Sequence, residues 1–223
     1  MDPFSKKQIK TIIFDLDGTL VDSMAIYIES IKHILSLCDV SIILRSNEVM
    51  PFAGLPAEVI YTHFLKKEGV YDSSKKEYLK NEFNKKFAEL LDNKKDYFPK
   101  DSTACISQLK KKGYNIAIGT GASRAGTEKM VPKDTQDLLD TIITVDDVST
   151  PKPNPETFLK AASLIDTDPD VCVVVGDGVN DFLAARDAKM SFILIKNSHN
   201  QDFDMVDDCD YVIDDLSELL DIF

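Results

Sequence analysis

An α/β fold, built on a doubly wound parallel sheet with a helical insertion, is the class this sequence predicts. Three observations carry that reading. From residue 98 onward, apolar runs of strand length alternate with helical stretches, the pattern of a sheet covered by helices. A further strand-like run, Thr11-Ile12-Ile13-Phe14, lies far upstream of that alternation. Between the two, residues 23–96 read as helical and contain no convincing strand, so they form an insertion into a sheet whose first strand precedes them.

The elements follow in order. β-Branched and aromatic residues make 11–14 a buried strand, and Asp17-Gly18 marks an abrupt exit from it. Helices are expected over 26–37 and over 57–67, the second following Gly54-Leu55-Pro56. Leu79, Phe83, Phe87 and Leu90 recur at helical spacing among Lys, Glu and Asn, a core-facing stripe. A helix over 102–112 is closed by Gly113 and leads into a strand at 115–118. There follow a strand at 141–144, a helix at 155–165, a strand at 171–175, a helix from 181 to 188, and strands at 192–195 and 211–213. In such a sheet, ligands bind beyond the carboxyl ends of the strands.

Composition narrows the function. A chain of 223 residues, 43% apolar, can bury a sizeable core as one large domain or two small ones. No apolar stretch approaches the roughly 20 residues that span a bilayer. Met1-Asp2-Pro3-Phe4-Ser5-Lys6-Lys7 leads into a strand rather than a signal-peptide apolar region, so a cytoplasmic location is expected. Cys38, Cys105, Cys172 and Cys209 are scattered without metal-ligand spacing, and most read as buried thiols. Three histidines far apart give thin support for a histidine metal site or a Ser-His-Asp relay. A net charge of −12 argues against nucleic acid or anionic membrane as partner. A phosphorylated substrate would then need concentrated positive charge at its site, from a cation, a lysine or helix N-termini.

Four strand ends carry polar groups of complementary kinds. The first offers Asp15 and Asp17, two carboxylates beside one opening. The second runs into Gly119-Thr120-Gly121-Ala122-Ser123, a small-residue loop with a hydroxyl that can bind phosphate oxygens. After the third, Lys152 sits in Thr150-Pro151-Lys152-Pro153-Asn154-Pro155, stiffened by flanking prolines. The fourth ends in Gly176-Asp177-Gly178-Val179-Asn180-Asp181, a second acidic pair. Each taken alone has an ordinary explanation as a turn, a solvated lysine or a helix N-cap. Together, at successive strand ends, they supply a nucleophile, an acid/base, a hydroxyl anchor, a cation and a metal-binding pair.

These four ordered motifs, Asp15-Leu16-Asp17-Gly18-Thr19, Thr120, Lys152 and the Gly176 to Asp181 run, resemble those of the haloacid dehalogenase superfamily, over essentially the whole chain. Its phosphoglycolate phosphatase and β-phosphoglucomutase-like members are the nearest in pattern. The resemblance implies an α/β core from residues 1–20 plus 98–223 and a small α-helical cap domain from 21–97. It also implies a Mg²⁺-dependent phosphatase acting on a small phosphorylated metabolite, a sugar phosphate or phosphoglycolate-like monoester. In that mechanism Asp15 attacks phosphorus to form an aspartyl-phosphate, and Asp17 protonates the leaving oxygen and then takes a proton from water. The implied Mg²⁺ ligands are the carboxylates of Asp15 and Asp177 and the backbone carbonyl of Asp17, with Asp181 in support. Thr120, Gly121 and Lys152 would hold the phosphoryl oxygens. The loop Met50-Pro51-Phe52-Ala53-Gly54-Leu55-Pro56 resembles the cap segment that selects substrate, and Arg45 just before it could clamp a carboxylate or second phosphate.

Asp17 tells against carbon–halogen cleavage, whose enzymes in the family lack the second acid. A β-phosphoglucomutase-like phosphomutase stays open, because mutases match at all four motifs. Outside catalysis, a phospho-accepting signalling or binding domain is the alternative, although receiver modules carry their acidic pair, not the acceptor, at the first strand. A detached unit of a P-type ion pump would have lysine where Leu16 stands. Nothing requires an oligomer, and a monomer is expected.

Overall fold

The structure, a computed structural model, describes residues 8–94, 97–200 and 206–223. The expectations for residues 1–7 and for the end of the helical block at 95–96 lie outside the described residues. Six strands form one sheet: β1 (Thr11–Phe14), β2 (Asn115–Gly119), β3 (Thr141–Ile143), β4 (Cys172–Gly176), β5 (Ser191–Ile195) and β6 (Tyr211–Ile213). Their order is β3-β2-β1-β4-β5-β6 and every pairing is parallel. β1 lies between β2 and β4, with Ile13 in register with Ala117 on one side and Val174 on the other. A strand paired on both edges and covered on both faces must be apolar throughout, which is why 11–14 and 172–176 read as continuous runs.

Alternate residues of β1 feed two cores. Ile12 and Phe14 join the larger apolar cluster, whereas Ile13 joins a second one with Ala117, Val174 and Phe158. Helix α1 (Met24–Ser36) follows β1 closely, then α2 (Ser46–Val49), a single 3₁₀ turn at Met50–Phe52, α3 (Ala57–Lys67) and α4 (Lys76–Asn93). α1 packs against both α3 and α4. Ile31, Ile34, Leu35, Tyr61, Phe64, Leu79, Phe83 and Phe87 belong to the same larger cluster, so the apolar interior of this helical block is continuous with one face of the sheet.

The rest of the chain completes both layers with α5 (Lys100–Lys111), α6 (Arg124–Met130), α7 (Lys133–Gln136), α8 (Glu156–Leu164), α9 (Val179–Asp187) and α10 (Leu219–Ile222). α5 and α10 lie on the side of the larger cluster, while α8 and α9 bury Phe158, Ala161, Ala184 and Ala185 on the other.

Several expectations shift. Leu91 rather than Leu90 completes the buried stripe of α4, because steps of four from Leu79 through Phe83 and Phe87 land there; Leu90 flanks it, half-buried. The helix placed at 181–188 starts at Val179, so Asn180 and Asp181 lie in its first turn. β4 begins at Cys172, after a 3₁₀ turn at Pro169–Val171. The block at 23–96 is not helical throughout, since residues 38–45 and 53–56 are non-helical. Cys105 and Cys172 are buried, Cys38 and Cys209 are half-buried, and all four are thiols outside any disulfide. Among the described residues no helix is long and apolar enough to cross a membrane.

Candidate active site

The strand order reverses at β1: the chain builds outward through β2 and β3 on one side and through β4, β5 and β6 on the other. At such a switch point the loops leaving the strands diverge and open a crevice at the carboxyl ends. Asp15, Thr120 and Asp177 each directly follow one of the three strands that meet there. Lys152 arrives from the loop between β3 and α8, and its peptide to Pro153 is cis.

Lys152 is the hub of the site. It is fully buried, and its Nζ donates to Asp15 Oδ1 at 2.5 Å, to Asp181 Oδ1 at 2.7 Å and to the Gly119 carbonyl at 3.1 Å. Burial disfavours the ammonium, but the carboxylates of Asp15 and Asp181 outweigh it and hold the lysine above its ordinary pKa. The same ion pairing leaves Asp15 with a second oxygen, Oδ2, that is buried and has no hydrogen-bond partner among the described residues.

Asp177 is in a similar state. Its Oδ2 accepts from Asn197 Nδ2 at 2.8 Å, while Oδ1 is buried and has no partner among the described residues. Burial, then the nearby charges of Asp15 and Asp181, push its pKa well above the carboxylate range. Asp181 is pushed up as well, by burial and then by Asp15, against the pull of Lys152. Carboxylate oxygens of Asp15, Asp177 and Asp181 lie within 4.8 Å of one another. Three buried carboxylates facing one lysine, two of them with an orphaned oxygen, are short of positive charge and of donors. A hard, oxygen-seeking divalent cation meets both deficits, so the donor set fits Mg²⁺.

Asp17 points to a different job. It is half-buried, and Ser23 Oγ donates to its Oδ1 at 2.5 Å. Burial raises its pKa from 3.8 to about 7, against the Ser23 hydrogen bond, with Asp15 adding to the rise. A carboxyl with that pKa is partly protonated near neutrality and can both give and take a proton. Tyr27 stands close by, and burial together with the charges of Asp17 and Asp15 keeps its hydroxyl protonated. The Asp17-Gly18 turn is tight: Gly18 has φ +84°, and a Cβ there would collide with the Asp177 carboxylate, so only glycine allows the two acidic loops to meet. Thr120 is buried, its Oγ1 accepting from the Ala122 N–H at 3.0 Å, which leaves the hydroxyl proton available.

The loop at 50–56 sits directly on this centre. Asn180 Nδ2 donates to the Ala53 carbonyl at 2.7 Å and to the Pro51 carbonyl at 3.3 Å. Gly121 lies against the Gly54 carbonyl, where any side chain would collide. Beneath the loop remains a chamber of about 40 Å³, lined by Asp15, Asp17, Thr120, Asp177 and apolar residues such as Phe52 and Leu55.

Of the sequence-derived candidates, Asp15, Asp17, Thr120, Gly121 and Asp177 line this chamber, and Lys152 and Asp181 hold its floor through Asp15. Arg45 is not brought there. It is exposed, stands at the N-cap of α2 with its N–H donating to Glu48 Oε2 at 3.0 Å, and lines none of the chamber. Four site residues went unassigned at the sequence level: Ser23 on Asp17, Asn180 on the loop, Asn197 on Asp177 and on the Gly18 carbonyl, and Asn200 on the Asp177 carbonyl. Asn197 and Asn200 follow β5, so extending the strand-end rule to the fifth strand finds them.

Comparison with known proteins adds independent observations. Residues 12–195 match the family model of haloacid dehalogenase-like hydrolases. The chain is 30% identical to pyrophosphatase PpaX of Bacillus mycoides (strain KBAB4), over 96% of this chain and 97% of that protein. Among solved structures it is similar to a predicted phosphoglycolate phosphatase from Haemophilus somnus 129PT, with TM-score 0.83, 22% identity and coverage of 96% and 98% of the two chains. It is also similar to β-phosphoglucomutase from Clostridium difficile, with TM-score 0.80, 19% identity and coverage of 95% and 93%. The last two likenesses concern the fold.

Proposed function

The chain belongs to the haloacid dehalogenase-like hydrolases, and within that family we propose that it is a Mg²⁺-dependent phosphatase that hydrolyses a small phosphorylated metabolite through an aspartyl-phosphate. The observation that carries this reading is the pairing of two unlike aspartates on one loop. Asp15 is anchored through Oδ1 by Lys152, and its Oδ2 accepts no hydrogen bond from the described residues, as a nucleophile requires. Asp17 has its pKa lifted to about 7, as a proton donor to a leaving oxygen requires.

In the first step Asp15 Oδ2 attacks phosphorus in line, and Asp17 passes its proton to the departing oxygen. In the second, Asp17, now ionised, takes a proton from water as it attacks the acyl phosphate, which frees phosphate and restores both carboxyl groups. The Thr120 hydroxyl and the Lys152 ammonium stabilise the charge spread over the phosphoryl oxygens. Asp15 and Asp177, with the Asp17 carbonyl and Asp181 in support, would hold Mg²⁺. When bound it supplies Lewis-acid charge neutralisation that lets an anionic substrate approach three carboxylates. The helical block 21–97 acts as a cap, its loop at 50–56 excluding water from the chamber. A monomeric cytoplasmic enzyme fits the strongly acidic chain.

A phosphate-release panel tests this reading, run with Mg²⁺ and with EDTA over pyrophosphate, phosphoglycolate, sugar phosphates and nucleotides. Metal-dependent release that disappears in Asp15→Asn is the expected result. Retained turnover in that variant overturns the nucleophile, and full activity in EDTA overturns the metal site.

A further inference from the structure

The loop that leaves β5 turns two asparagine side chains onto the acidic centre. Asn197 Nδ2 donates to Asp177 Oδ2 at 2.8 Å and to the Gly18 carbonyl at 3.1 Å. Its Oδ1 accepts the backbone N–H groups of His199 at 2.8 Å and of Asn200 at 3.1 Å. A side-chain amide has two N–H donors and two acceptor lone pairs, and here all four are used. The N–H groups of the loop claim the oxygen, so Asn197 presents its donors to the acidic loops. Asn200, itself buried, completes the turn: its Oδ1 accepts the Asn197 N–H at 2.8 Å, and its Nδ2 donates to the Asp177 and Ile195 carbonyls, both at 2.9 Å.

These contacts act on Asp177 at two points. Asn200 holds its main chain, and Asn197 holds one oxygen of its carboxylate. The same Oδ2 packs against the first acidic loop, where a Cβ on Gly18 would stand 2.1 Å from it. Pinned between Asn197 and Gly18, the carboxylate cannot rotate without giving up a hydrogen bond, and Oδ1 stays buried with no partner among the described residues. Through the Gly18 carbonyl, Asn197 also ties down the Asp17-Gly18 turn, so one side chain fixes the two acidic loops relative to each other.

We infer that Asn197 is a positioning residue for the divalent-cation site: it reserves Oδ1 of Asp177 for the metal and locks the Asp17-Gly18 turn beside it. This rests on the metal site of the phosphatase reading and extends it to a residue that offers the cation no oxygen of its own, because Oδ1 of Asn197 is committed to the loop. Hydrogen-bond partners of metal ligands are typically worth about 10–100-fold in metal affinity.

Calorimetric titration of the full chain with Mg²⁺ alone, without substrate, tests the assignment. Asn197→Ser is the informative variant, since a serine hydroxyl can accept the N–H two residues on and keep the turn but is too short to reach Asp177. It is expected to bind Mg²⁺ about tenfold or more weakly than wild type. Asp210→Ala is the control: its carboxylate accepts the Phe192 N–H at 2.8 Å, so the variant loosens β5 at the end away from the site. It is expected to lower the Tm and leave Mg²⁺ affinity at the wild-type level. Wild-type affinity in Asn197→Ser overturns the proposal, as does an equal loss in Asp210→Ala, which would mark the effect as one of general stability. If Asn197→Ser does not fold, Asn200→Ser decides in its place by releasing the Asp177 main chain: weakened Mg²⁺ binding sustains the proposal and unchanged binding overturns it. Absence of Mg²⁺ binding by the wild type overturns the metal site and this inference together. Wild-type binding that weakens in Asn197→Ser, without phosphate release from any substrate, sustains the inference and removes the phosphatase reading alone.

Discussion

Replacing Asp17 with asparagine should flatten the dependence of stability on pH in the metal-free protein. The carboxyl is raised from 3.8 to about 7 by burial and by Asp15, so the folded state holds its proton more tightly than the unfolded chain does. For a raised carboxyl, stability is fully present below the unfolded value and is lost as pH climbs toward the folded one. At about 1.4 kcal/mol per pH unit, the full cost comes to about 4.5 kcal/mol, of which about 2.5 kcal/mol accrues between pH 5 and pH 8. For a chain of this size that corresponds to roughly 5–10 °C in Tm. The side-chain carbonyl of the introduced asparagine can still accept the Ser23 hydrogen bond, so the substitution removes the titration and little else. Thermal melts in EDTA at pH 5 and pH 8 provide the assay, with the variant as the reference for every other titrating group. Wild type should lose more stability than Asp17→Asn across that interval. Parallel profiles for the two proteins would refute the environment assigned to Asp17, and with it the argument for its role as proton donor.

Further expectations concern the residues around it. Lys152→Met leaves Asp15 and Asp181 buried without their cation, and a loss of about 3–5 kcal/mol in denaturant unfolding at neutral pH is expected; Lys152→Arg should not restore it, since a planar fork does not fit a site built for a point charge. Asp177→Asn should weaken Mg²⁺ binding in calorimetry while raising the Tm of the metal-free protein at pH 8, because it removes a buried charge whose pKa is pushed up. Removing the donor in Asn180→Ala should speed hydrogen exchange in residues 50–56 and raise KM more than it lowers kcat, with Asn180→Gln recovering part of the loss.

The parts of the fold that a sequence displays are those governed by one local rule. β1, β4 and β5 are buried on both faces, so each appears as an unbroken apolar run, and the polar residue after each run marks a strand end. The two acidic pairs were legible for that reason, whereas Thr120 showed itself by the small-residue loop after β2 and Lys152 by its flanking prolines. α6 and α7 were not, being seven and four residues long with no sustained apolar stripe. Nor could spacing foresee Asn180 meeting Ala53, a contact 127 residues apart that depends on where the helical block comes to rest. Arg45 illustrates the converse: proximity in sequence to the loop over the site did not place its side chain there, because the chain turns at α2 and leaves it in solvent.

The shared apolar interior of the helical block and the sheet domain bears on how the molecule comes apart. Ile12 and Phe14 in the sheet, and Ile31, Tyr61 and Phe83 in the block, are members of a single apolar cluster. Removing the block would strip one face of the sheet of its cover, and unfolding it alone would flood that face with water. Cooperativity therefore extends across both halves, and denaturation should proceed as one transition whose steepness reflects the surface of the entire chain.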